Sequence, residues 1–107
     1  MQDYLNVLYA TIKARKNADP KESYVAALFQ KGQKKIAQKV AEEAIETALA
    51  AGFGKKDELI SESADLLFHL AILWADSNIT PDEVIAELKR REGVSGHDEK
   101  RARQNQP

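Results

Sequence analysis

The chain is 107 residues long, carries 16 Lys and Arg against 17 Asp and Glu, and contains no cysteine. One domain fits that length, since a fold of this size buries roughly 60–70% of the surface its unfolded chain exposes; the lack of Cys excludes a disulfide scaffold, a thiolate metal site and a cysteine nucleophile, and the near-neutral balance argues against nucleic-acid binding by bulk charge. No stretch reaches the ~20 apolar residues of a membrane span, and Met1-Gln2-Asp3-Tyr4 lacks the basic-then-apolar plan of an export signal, so a cytoplasmic chain away from membranes is expected.

Apolar residues recur at three- and four-residue spacing, and no alternating β-branched run or Asn-Gly hairpin occurs. That pattern predicts an all-α fold: one domain over residues 1–107, a small antiparallel bundle of four main helices completed by dimerisation. Leu5, Leu8 and Ile12 mark a first helix over about residues 3–17, stopped by Asp19-Pro20 because the residue before proline is pushed out of the helical region. Ser23 is placed to cap a short piece, Tyr24 to Gln30, that stops at Gly32. A longer helix is expected from Gln33 to Ala51 with Gly52 as its left-handed terminator, and another from Lys56 or Asp57 to about Ser77. Thr80, Pro81 and Glu83 form a capping-box pattern for a last helix reaching about Arg91 and closed by Gly93. The polar, basic residues 94–107 are expected to be partly disordered.

Between Ala64 and Ala75 the fourth helix is apolar on nearly every bearing, as a buried central helix is. One narrow stripe is polar: Glu58, Glu62, Asp65, His69 and Asp76 fall within about 60° of one another at 100° per residue. On the preceding helix Ile36, Val40, Ala44, Thr47 and Ala51 share a side, with Glu43 at its border and Lys39 and Glu46 just beyond. An antiparallel hairpin would therefore set Glu43-x-x-Glu46 against Glu62-x-x-Asp65.

Four carboxylates converging in a partly buried place repel and are driven toward protonation unless a cation neutralises them. All-oxygen ligands select a hard divalent ion, Mg²⁺ with Mn²⁺ as an equivalent, which polarises a phosphoanhydride and suits nucleotide hydrolysis. Lys35 and Lys39 lie on the same side and can meet phosphate oxygens. The plainer reading stands beside this one. A Glu-Glu-Ala-Ile-Glu run also describes a solvated helix face, and Lys39 can pair with Glu43 at i, i+4 for a few tenths of a kcal/mol. His69 reads as a hydrogen-bonded bundle histidine rather than a ligand, Phe68 and Trp74 as core or subunit contacts. A di-iron bundle fails on histidine spacing, and no glycine-rich phosphate loop is present.

Glu42-Glu43-Ala-Ile-Glu46 followed by Glu62-Ser-Ala-Asp65 resembles the EExxE and ExxD signature of the MazG-like all-α nucleotide pyrophosphohydrolase superfamily. Within it, Ser23-Tyr-Val-Ala-Ala-Leu, Lys31-Gly32, Lys39-Val-Ala-Glu-Glu-Ala-Ile-Glu46, Ala64-Asp-Leu-Leu-Phe-His69 and Arg91-Glu-Gly-Val-Ser-Gly96 with Glu99-Lys100 resemble the phosphoribosyl-ATP pyrophosphatase family, over about Tyr4 to Arg103. The resemblance implies a hydrolase of histidine biosynthesis that cleaves phosphoribosyl-ATP between the α and β phosphates with Mg²⁺, in stand-alone form and as a homodimer. It implies Glu43, Glu46, Glu62 and Asp65 as metal ligands and Glu42 as a group orienting water or a ligand. Lys39 and the Ser95, Gly96 and Lys100 region match family elements assigned here to substrate phosphates. The alternatives are a housecleaning nucleoside triphosphate pyrophosphohydrolase with the same metal site and a non-catalytic helical dimerisation module.

Overall fold

Five helices follow one another in the computed structural model, which describes residues 2–93: α1 (Gln2–Arg15), α2 (Tyr24–Lys31), α3 (Gln33–Gly52), α4 (Lys56–Asp76) and α5 (Pro81–Arg90). No strand occurs among the described residues. Residues 94–107, where partial disorder is expected, lie outside them.

Each boundary has a local cause. α1 ends at Arg15, two residues before the expected limit, in a tight turn where the Ala18 amide donates to the Arg15 carbonyl (3.1 Å). Ser23 then starts α2, its hydroxyl accepting from the Ala26 amide at 3.1 Å. A single residue, Gly32, joins α2 to α3. Its φ of 95° and ψ of 171° lie in a region open essentially to glycine alone, so the sharp turn between the two helices depends on it. At the far end, α3 runs through Gly52 because the Phe53 amide still donates to the Leu49 carbonyl (3.0 Å). The left-handed residue is Gly54 (φ 70°) rather than Gly52. The amides of Gly54 and Lys55 close back on the carbonyls of Ala51 and Ala50, both at 3.1 Å, which is a Schellman motif. α4 stops the same way, with Asn78 (φ 59°) in the glycine role. The capping box of α5 forms in full, Glu83 amide to Thr80 hydroxyl at 3.2 Å and Thr80 amide to Glu83 carboxylate at 3.0 Å.

α3 and α4 form an antiparallel hairpin, and α1 and α2 pack across one end of it. The core lies at that end: Ile12, Val25, Leu28, Ile36, Ala71, Ile72 and Ala75, flanked by Phe29, Phe68 and Trp74. The inward stripe of α3 differs from the expected one. Ile36, Glu43 and Ala50 are buried, whereas Ala44 and Ala51 are exposed. The stripe is rotated toward the acids because α4 is the dominant neighbour of α3. The all-round apolar character of α4 likewise gives burial mainly from His69 onward; Ile60 and Leu67, nearer the hairpin tip, are exposed, as are Ile45 and Leu49 on α3 and Phe53 just after it.

The two hairpin glycines separate cleanly. A Cβ meets nothing within 4 Å at either position, so backbone conformation alone decides. Gly54→Ala is expected to destabilise by ~1 kcal/mol through its left-handed φ, while Gly52→Ala stabilises by up to ~1 kcal/mol as an ordinary helix substitution; urea midpoints of the two variants measure the difference.

Candidate functional site

Glu43 sits seven residues after Ile36 and seven before Ala50 on the inward stripe of α3, and it is only 7% exposed. Helical periodicity, two turns per seven residues, forces its carboxylate toward α4. There α4 supplies Glu62 and, one turn on, Asp65. Oxygens of Glu43, Glu62 and Asp65 all lie within 4.8 Å of one another, with Glu43 buried, Glu62 half-buried and Asp65 exposed at the rim. Glu46, one turn beyond Glu43, stands outside this group of three but beside Glu62, whose acidity it perturbs.

The group is electrostatically frustrated. Glu43 Oε2 and Glu62 Oε2 are both shut off from water with no hydrogen-bond partner. Ionised carboxylates only accept hydrogen bonds, so they cannot satisfy one another. One way out is a proton. Glu62 is pushed up to about 7, first by the hydrogen bond it makes to Glu46 when protonated, then by burial and by Glu43. The other is a cation: at oxygen–metal bonds of ~2.1–2.6 Å, ligand oxygens on one ion lie no more than about 4.2–5.2 Å apart, and oxygens of this cluster all within 4.8 Å of one another can share one. The orphaned oxygens and the all-carboxylate donor set therefore fit a hard divalent ion.

Lys39, one turn before Glu43, has its Nζ 3.7 Å from Glu43 and 3.9 Å from Glu42. Its ammonium is held above the usual lysine range, first by the negative charge Tyr24 takes on when it ionises at high pH and then by the two glutamates. Tyr24 sits in the first turn of α2, and its hydroxyl lies 2.8 Å from His69 Nε2. The other ring nitrogen, Nδ1, is 2.7 Å from the Asp65 main-chain oxygen, so His69 is 6% exposed with both nitrogens engaged. Burial pushes the Tyr24 hydroxyl up, Lys39 opposes, and Glu43, Asp65 and Glu42 reinforce the rise, so it stays protonated at neutral pH.

Sequence reasoning assigned Tyr24 no role. The available signal was its place directly after the cap Ser23, where a tyrosine opening a short helix is brought by the Gly32 turn against the middle of the hairpin. Of the other residues singled out, Lys35 is half-buried one turn before Lys39 and makes no ion pair with the acids among the described residues. Glu58 pairs with Lys55 (3.7 Å) away from the cluster. Ser95, Gly96 and Lys100 lie outside the described residues. On α5, Glu87 is held down to about 2 by hydrogen bonds from Arg90 and Arg91.

The proton on Glu62 gives a pH signature in the chelated protein. Its folded pKa of about 7 exceeds the ordinary 4.5, so the folded state binds more protons than the unfolded one in that interval. This contribution to stability is fully present below pH 4.5 and is lost as pH rises through 7. Melting temperatures measured across that window should fall for the wild type relative to Glu62→Gln, in which the slope is absent.

With the geometry in hand, comparisons with known proteins give the family. The model of the phosphoribosyl-ATP pyrophosphohydrolase family matches residues 5–92, from within the first turn of α1 to just past the end of α5. A phosphoribosyl-ATP pyrophosphatase of Azospirillum brasilense is 55% identical over 94% of this chain and 91% of its own length. One from Paramagnetospirillum magneticum is 56% identical over 92% of this chain and 91% of its own, and one from Rhizorhabdus wittichii 54% identical over 96% and 97%. Matched through every helix that builds the carboxylate cluster, and more than half identical to these relatives, the chain belongs to the phosphoribosyl-ATP pyrophosphohydrolase family.

Proposed function

We propose that this chain hydrolyses phosphoribosyl-ATP to phosphoribosyl-AMP and pyrophosphate, the second step of histidine biosynthesis, with Mg²⁺ bound at the carboxylate cluster. The observation that carries the reading is the buried, partnerless pair of oxygens on Glu43 and Glu62 within a three-carboxylate group, in a chain of this family. Glu43, Glu62 and Asp65 would hold the ion, with Glu46 joining through its contact with Glu62. Bound there, Mg²⁺ would neutralise charge on the α and β phosphates. The chain's own groups do the rest. Lys39 meets a phosphate oxygen beyond the ion's reach, with Lys35 and the Ser95, Gly96 and Lys100 region assigned to the remaining phosphates. Glu42, paired only loosely with Lys39, orients the water whose oxygen attacks the α phosphorus. The α–β bridging bond breaks, pyrophosphate leaves, and the water's proton passes to solvent through a neighbouring carboxylate.

The active form in this reading is a homodimer. Ile45 and Leu49 on α3, Phe53 just after it and Ile60 on α4 leave apolar surface exposed toward the hairpin tip. Two helices alone cannot enclose a core there, and a second hairpin covers the face. No described helix is long and apolar enough to cross a membrane, and the biosynthetic reading places the chain in the cytoplasm.

Pyrophosphate release with Mg²⁺ tests the proposal. Phosphoribosyl-ATP should be turned over, with ATP, dCTP and dUTP slower by 10²-fold or more in kcat/KM, a discrimination of about 2.7 kcal/mol. Sedimentation equilibrium on the same preparation should give about twice the 11.9 kDa chain mass. Preferred turnover of a free triphosphate points to a housecleaning enzyme instead, and no hydrolysis of any of the four refutes the enzymatic reading.

A further inference from the structure

Where α1 crosses α4 the two helices leave a cavity of about 370 Å³, within the ~300–1,000 Å³ range of small-molecule sites. Leu5, buried, and Leu8, half-buried, line it from α1, and Tyr4, 66% exposed, stands at its rim. Across from them α4 contributes Ala64, Leu67 and Phe68. The Phe68 ring is held in place by stacking on Tyr24 (centroids 6.4 Å) and by edge contact with His69 (5.5 Å). No lysine or arginine lines this cavity.

The one charged group in its wall is Asp65, which is also the exposed member of the carboxylate cluster. An apolar slot and the proposed cation site therefore share a residue. Asp65 and Phe68 are three residues apart on α4, about 4.5 Å along the axis at ~1.5 Å per residue, a step that one ribose spans. A ligand suited to such a place is flat and apolar at one end and phosphorylated at the other. The rings of Tyr4 and Phe68 offer it aromatic surface, and stacking on such rings holds a base without reading its edge. A second copy of the chain is the poorer occupant. Any protein surface seated here must strip water from the Asp65 carboxylate, whereas a nucleotide arrives with the cation-bound phosphates that this carboxylate meets.

We infer that this cavity is the base subsite: the adenine ring lies between α1 and α4 against Tyr4 and Phe68, its ribose passes Asp65, and its α and β phosphates reach the ion. Ala64 is a specificity-determining position, because its single methyl leaves the room that the ring takes. The inference deepens the proposed function and rests on its placing of the phosphates at the cluster.

Calorimetry with Mg²⁺ can compare α,β-methylene-ADP with methylenediphosphonate, two non-hydrolysable probes that differ by the adenosine. The wild type should bind the nucleotide about tenfold more tightly or better. Ala64→Leu keeps a good helix former and fills the cavity; it should erase that advantage and leave diphosphonate binding within about twofold. Tyr4→Ala should cut the advantage severalfold. For phosphoribosyl-ATP, Ala64→Leu should raise KM about tenfold. Equal affinity of the wild type for the two probes, an advantage that survives Ala64→Leu, or a loss shared by both probes overturns the inference. Methyl ¹H–¹³C spectra read the cavity without metal or phosphate: adenosine should shift the Leu5, Leu8 and Ala64 methyls and leave those of Leu88, on α5, in place. Methyls that ignore adenosine and move with protein concentration instead mark a contact between copies and overturn it as well. Failure of the wild type to hydrolyse phosphoribosyl-ATP refutes the functional reading separately, while the adenosine shifts still decide the base subsite.

Discussion

Glu43 occupies the place on α3 where packing favours an apolar side chain, midway between Ile36 and Ala50 on the stripe that faces α4. A carboxylate there brings no hydrophobic stabilisation and loses hydration, and two more carboxylates have oxygens within 4.8 Å of it. Among the described residues Lys39 is its one ion-pair partner, at 3.7 Å. The orphaned oxygen on Glu43 follows from this misfit, and the raised Glu62 follows first from Glu46, then from its own burial and from Glu43. The frustration is local, because the main hydrophobic core sits at the other end of the hairpin and is complete without the acids.

That division of labour organises the fold. α1 and α2 close the core end, where Ile12, Val25 and Leu28 meet Ile36 and Ile72. α2 also carries Tyr24 to the acids, and it does so because Gly32 turns the chain within one residue. Toward the hairpin tip Ile45, Leu49, Phe53 and Ile60 are exposed. Core and acids thus occupy different stretches of one helix pair: a packed end and, nearer the tip, a charged stretch with exposed apolar side chains among and beyond the acids.

Much of this is legible in the sequence, for reasons that can be named. Helix existence follows from apolar spacing, and the α5 start from Thr80, Pro81 and Glu83, because a capping box is a purely local device. The acid pairs stand out because Glu62 and Asp65 directly precede an apolar segment. The rotation of α3 does not show, since both Ile36–Ala44–Ala51 and Ile36–Glu43–Ala50 are acceptable helical stripes and only the neighbour chooses between them. Gly52 and Gly54 are equally good terminators on paper; the hydrogen bonds of Gly54 and Lys55 decide. Tyr24 is invisible for a different reason. Its contact with His69 spans 45 positions, and no periodicity within one helix reports on it.

The central claim is that the carboxylates of α3 and α4 are a cation site. Titration of Mn²⁺ followed by electron paramagnetic resonance measures it directly, because the ion loses its free signal when bound. The account predicts saturable uptake by the wild type, abolished in Glu43→Gln with the helical circular dichroism retained. Undiminished free Mn²⁺ in the wild type even with pyrophosphate present, or equal uptake by the variant, would contradict it.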